Sequence, residues 1–110
     1  MGGSLGLAIK GALPSVEVIG VARRDETAHL SVELGAADRA GMDAELVAPA
    51  DLVVLACPLR ATADVLAAVV PHLKKGARVT DVGSVKGWVV RRADKALDPK
   101  RNPFVGGHPM

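Results

Sequence analysis

The sequence predicts an α/β protein built on a parallel sheet. Short apolar, β-branched runs alternate with helix-patterned segments along the 110 residues, the order that parallel strands with helical crossovers require. The run Asp51-Leu52-Val53-Val54-Leu55-Ala56-Cys57 is almost continuously apolar, as expected of a strand covered on both faces.

The elements follow in order. Ser4 to Ala12 carries Leu5, Ala8, Ile9 and Ala12 at helical spacing. After the breaker Leu13-Pro14-Ser15, the β-branched run Val16–Val21 reads as a strand. Asp25 to Gly35 reads as a helix with apolar positions at Ala28, Leu30 and Leu34, ending on a glycine cap. The strand Asp51–Cys57 stops at Pro58. Ala61 to Leu73 sets Val65, Leu66, Val69 and Leu73 on one side and then meets Lys74-Lys75-Gly76. Basic residues favour the carbonyl end of a helix and glycine ends it. Ala77–Val82 is a further strand, Val85–Leu97 the last helix, and Pro103-Phe104-Val105 a last strand ending in Gly106-Gly107. No repeat, low-complexity tract or internal linker interrupts this series, and the length fits one small domain.

Composition excludes several classes. With 49% hydrophobic and 24% charged residues the chain can bury a core, so disorder is not expected. Aromatics make up 2%, namely Trp88 and Phe104. The core is therefore aliphatic, and the stacking platforms of a single-strand nucleic-acid binder are missing. The net charge of +2 is too small to point to a partner. One cysteine, Cys57, allows neither an internal disulfide nor a Cys-rich zinc site, and a reducing, cytoplasmic setting fits. His29, His72 and His108 share no metal-ligand spacing. No apolar run approaches the roughly 20 residues that cross a membrane. The apolar N-terminus has no basic start and is not expected to be a signal peptide.

Met1-Gly2-Gly3-Ser4 opens directly into a helix. A doubly wound dinucleotide-binding fold runs strand, glycine turn, helix, strand, with G-x-G-x-x-G across the turn. Gly2 suits the last glycine of that fingerprint, while the first two and the strand before them are absent. A loose terminus is the other reading of these glycines. The ribose-reading position, roughly 20 residues on, falls near Ala22, where an acid would bond the 2′-hydroxyl of NAD. Arg23 and Arg24 follow instead. An arginine here can accept the 2′-phosphate of NADP; two solvated charges between strand and helix are the alternative.

The ligand crevice of such sheets lies at the carboxyl ends of the strands. Asp81-Val82-Gly83-Ser84-Val85-Lys86-Gly87 stands at one such end, with Ser84 placed to cap the next helix. Gly106-Gly107-His108-Pro109-Met110 follows the next strand. Its glycines let backbone approach a ligand, and His108 is an acid/base candidate. Cys57 and Pro58 end a strand at the same crevice, and Cys57 reads as a small packed residue beside a cofactor. His29 and His72 fall in helical segments at the other edge and read as surface residues.

In order and spacing, Gly2-Gly3-Ser4-Leu5-Gly6, Asp81-Val82-Gly83-Ser84-Val85-Lys86-Gly87 and Gly106-Gly107-His108-Pro109-Met110 resemble the prephenate dehydrogenase family, which includes arogenate and cyclohexadienyl dehydrogenases. The last two motifs are specific and the first is generic. The resemblance implies a Rossmann-like doubly wound parallel sheet. It implies oxidative decarboxylation of prephenate or arogenate in tyrosine biosynthesis, with hydride passing to NAD or NADP, NADP being favoured by Arg23 and Arg24. His108 matches the catalytic histidine that takes the proton of the substrate hydroxyl. Ser84 matches the serine that orients it. Gly2, Gly3 and Ser4 match the pyrophosphate turn, and Gly83, Cys57 and Pro58 line the cofactor. The family's helical dimerisation domain implies a homodimer, with no nucleic-acid or membrane partner.

Against the family pattern, the first strand, the leading glycines and the C-terminal helical domain are missing. Residues 1–110 are therefore expected to be a partial NAD(P)-binding domain that neither folds stably nor catalyses alone. Two alternatives are another NAD(P)-dependent dehydrogenase, of the β-hydroxyacid or imine reductase type, and a non-catalytic nucleotide-binding remnant.

Overall fold

The computed structural model describes residues 2–82, 91, 93 and 95–106. The chain divides into two units, Met1–Leu46 and Val47–Met110. All strand pairing in both is parallel.

The first unit contains α1 (Gly2–Ala12), β1 (Ile19–Val21), α2 (Asp25–Glu33) and β2 (Arg39–Gly41). β1 pairs with β2 from Ile19 opposite Arg39 to Val21 opposite Gly41. The expected strand Val16–Val21 is confined to its last three residues because Asp38 captures Val18. The Asp38 N–H donates to the Val18 carbonyl and the Val18 N–H donates to the Asp38 carboxylate, each at 2.7 Å. β2 went unread in the sequence, since Arg-Ala-Gly lacks β-branched residues and exists as a strand only through its partner.

α2 ends as the glycine predicts. Gly35 adopts φ +79°, its N–H donates to the Val32 carbonyl at 3.1 Å, and the Ala36 N–H reaches back to the Ser31 carbonyl at 2.9 Å. This is a Schellman closure, which needs a left-handed residue after the helix. The expected apolar face is only partly buried: Ala28 is enclosed, but Leu30 and Leu34 are 51% and 62% exposed. Ala36 and Ala37 of the following turn are buried instead. On α1, Gly6 is buried, Leu5 and Ile9 are half-buried, and Ala8 and Ala12 face solvent.

The second unit orders its strands β3 (Leu52–Leu55), β4 (Arg78–Asp81) and β5 (Phe104–Gly106). Val53, Leu55 and Val79 are buried, together with Leu66 and Val69 of α3 (Thr62–Val69) and with Leu73, Ala77, Ala93 and Leu97. Each valine or leucine among them, fully buried, contributes about 1.5–3 kcal/mol, and each alanine less. β3 buries one face rather than two, since Leu52 is 54% exposed and Val54 half-buried.

α3 is shorter than the segment Ala61–Leu73. Pro71 lacks an N–H, and the chain passes into a 3₁₀ turn over Val70–His72. Lys74 and Lys75 thus lie beyond the helix, and Gly76, at φ +90°, shapes the turn into β4 rather than a helix cap. In the expected last helix, residues 91, 93, 95 and 96 are helical; the other residues of 85–96 lie outside the described residues. Among the described residues, no helix is long and apolar enough to cross a membrane.

Candidate functional site

In the second unit, parallel register aligns the carboxyl ends of three strands. Leu55 stands opposite Asp81, and Asp81 opposite Gly106. The Val82 N–H then donates to the Leu55 carbonyl at 3.2 Å. The strand ends Leu55, Asp81 and Gly106 therefore lie side by side, and in sequence Cys57-Pro58 follows the first, Gly83-Ser84 the second and Gly107-His108 the third. Ser84, Gly83 and His108 themselves lie outside the described residues.

The turn after β3 is the best-defined part of this edge. Pro58 precedes a 3₁₀ turn, Leu59–Ala61, that leads into α3. Thr62, 4% exposed, donates its hydroxyl to the Pro58 carbonyl at 3.4 Å. The Cys57 Sγ is half-buried and 3.8 Å from the Thr62 Oγ1. Cys57 thus stands half-buried in the turn beside Thr62. Asp81 is 3% exposed and engaged in an interaction. A carboxylate is seldom buried so fully away from partners; its place at the strand end was read from the sequence, its burial there was not. The signal was present as a lone acid ending an apolar run.

In the first unit, β1 and β2 also end together, the Ala22 N–H donating to the Gly41 carbonyl at 2.9 Å. Arg23 and Arg24 follow and are both exposed. Arg24, extended at φ −123° and ψ 141°, is the residue on which α2 starts. Among the described residues neither arginine side chain has a hydrogen-bond or ion-pair partner. The neighbouring Asp25 faces His29 at 3.4 Å. α1 begins at Gly2 with no acid in its first turn. Gly3 and Ser4 are exposed, and a Cβ on Gly3 would meet nothing within 4 Å. The first turn thus holds no acid that would oppose an anion, as a pyrophosphate site requires.

Gly6 is a glycine at which two backbones come together. A Cβ on Gly6 would lie 2.3 Å from the Ala36 carbonyl oxygen. Among the described residues, no three His, Cys, Asp or Glu side chains gather as a metal site.

Known proteins of one kind share these features. The family model described as prephenate dehydrogenase, nucleotide-binding domain, matches residues 5–110. The chain is 40% identical over 112 residues to a prephenate dehydrogenase of Bacillus subtilis and 32% identical over 111 residues to that of Lactococcus lactis subsp. cremoris. Each match takes in 100% of this chain but only 30% and 31% of those two proteins, respectively. Among solved structures, Synechocystis arogenate dehydrogenase superposes with a TM-score of 0.83 at 34% identity, over 94% of this chain and 36% of that one. The Aquifex aeolicus prephenate dehydrogenase, in complex with hydroxyphenyl propionate and NAD+, gives 0.87 at 29% identity, over 98% and 37%. Because that family model matches almost the whole of residues 1–110, this chain belongs to the prephenate dehydrogenase family.

Proposed function

We propose that residues 1–110 act as the partial NAD(P)-binding domain of an enzyme that oxidatively decarboxylates prephenate or arogenate. One observation carries the reading: the register Asp81 opposite Gly106 sets the origins of D-V-G-S-V-K-G and G-G-H-P-M side by side at the carboxyl edge of the sheet. The relatives' names and the ligands bound to the Aquifex enzyme support it.

The residues divide the work. Gly2, Gly3 and Ser4 offer the open N-terminus of α1 to the pyrophosphate. Arg23 and Arg24 pair with a 2′-phosphate, so NADP is accepted at least as well as NAD. Cys57, Pro58 and Gly83 flank the nicotinamide side. NAD(P)+, when bound, supplies the hydride acceptor. His108 takes the proton of the substrate hydroxyl as hydride leaves the same carbon, which stabilises the developing positive centre as a carbonyl. Ser84 orients His108 and the hydroxyl. The whole protein works as a cytoplasmic homodimer in this reading.

The test is His108→Ala in the whole protein, assayed with prephenate and with arogenate. Turnover should fall by roughly 10²–10⁴, the usual share of general acid–base catalysis, with NADPH affinity nearly unchanged. Near-normal turnover would overturn the assignment.

A further inference from the structure

The amino-terminal edge of the β3–β4–β5 sheet, at the opposite end of the strands from the proposed crevice, carries concentrated positive charge on a rigid base. Two turns build it, residues 73–77 before β4 and 98–103 before β5. The Gly76 N–H donates to the Arg101 carbonyl at 2.9 Å. Asn102, 3% exposed, donates its amide to the Lys74 and Ala77 carbonyls, both at 2.9 Å. The Arg101 guanidinium donates to the Leu73 carbonyl at 3.1 Å. The two turns are thus fastened to each other, with the Asn102 amide sheltered from water.

On this base Lys74 pairs with Asp51. Asp98 is occupied by the Lys100 N–H at 2.9 Å. The side chains of Lys75, Arg78 and Lys100 are exposed and have no hydrogen-bond or ion-pair partner among the described residues. We propose that this edge docks an acidic segment of a partner protein. The fastened turns need no backbone ordering when their cations bind, and the cations speed encounter with an oppositely charged surface. The two turns carry no aromatic side chain on which the bases of a nucleic-acid strand could stack. A peptide can set its own carboxylates against the three open cations instead. The dehydrogenase reading is not needed for this inference.

The probe is fluorescein-labelled hexaglutamate, titrated into the protein at low ionic strength and again near 0.3 M salt. Binding is expected at low salt and should weaken about tenfold or more as the screening length shrinks. The triple variant Lys75→Gln, Arg78→Gln, Lys100→Gln should bind at least about tenfold more weakly. The variant Arg60→Gln, Arg91→Gln, Lys95→Gln removes the same charge elsewhere and should keep wild-type affinity. All six side chains are exposed, so unchanged far-UV circular dichroism is expected of both variants. Equal losses in the two triples, or no binding by the wild type at low salt, would overturn the proposal. So would single-stranded DNA of equal charge binding more tightly than hexaglutamate through the same three residues.

Discussion

A Cβ on Gly6 of α1 would stand 2.3 Å from the carbonyl oxygen of Ala36, the residue just past the glycine that closes α2. Helix and turn touch backbone to backbone, and neither atom belongs to a side chain that can swing away. Gly6→Ala should therefore destabilise the protein by about 1–3 kcal/mol, the usual penalty for overpacking. Gly3 and Gly11 have nothing within 4 Å, so alanine there should be neutral or add up to about 1 kcal/mol through helix propensity. Denaturant midpoints of the three variants check this. Equal midpoints for Gly6→Ala and Gly11→Ala would show that the contact relaxes freely.

Asp38 ties α1 to the start of β1. The Lys10 Nζ lies 2.8 Å from one carboxylate oxygen, and the Val18 N–H is 2.7 Å from the other. The Lys10 hydrogen bond first, and the Val18 N–H second, hold this carboxyl below its ordinary range. The unfolded chain then binds the proton more tightly than the folded one. The contribution is present above the ordinary carboxylate range and fades as pH falls below about 4. Asp38→Asn should be less stable than wild type at neutral pH and lose less on acidification. Unfolding curves at pH 7 and pH 3 read this out, and parallel losses in both proteins would count against it.

Asn102 joins the turns before β4 and β5 from a buried position. Asn102→Ala leaves two carbonyls without their donor and should cost about 1–3 kcal/mol. Asn102→Asp should cost more, because it turns a carboxylate toward those same oxygens. Faster amide exchange at Gly76, whose N–H bonds the Arg101 carbonyl, would locate the damage. Unaltered exchange would show that the turns hold without this side chain.

Arg23 and Arg24 offer a test of cofactor choice. A charged hydrogen bond to a 2′-phosphate is worth roughly 1.5–3 kcal/mol, so replacing either contact should weaken NADPH binding by about ten- to hundredfold. NADH affinity should barely move in Arg23→Ala and Arg24→Ala. A clear NAD preference in the wild type, unchanged by both substitutions, would end the NADP reading.

The alternation of strand and helix, the glycine closing α2 and the strand cores Leu52–Leu55 and Arg78–Asp81 were legible in the sequence. Each is a local pattern: a period, a β-branched run, a residue tolerant of positive φ. The motifs at the proposed site were legible as strings, and Cys57 lies just beyond β3. Ser84 and His108, by contrast, keep their roles from sequence resemblance, since they lie outside the described residues.

What only the tertiary structure decided depends on partners distant in the chain. Arg39–Gly41 is a strand because Ile19–Val21 pairs with it, and Val16–Val18 is not one because Asp38 takes the backbone of Val18. Leu30 and Leu34 fit a helical face but are exposed, while Ala36 and Ala37 fill buried space that no periodicity marks. Asp81 and Gly106 meet across a ladder between residues far apart in sequence. Local patterns record what a segment prefers by itself; register, close backbone approach and burial are settled by the surface that a distant segment brings against it.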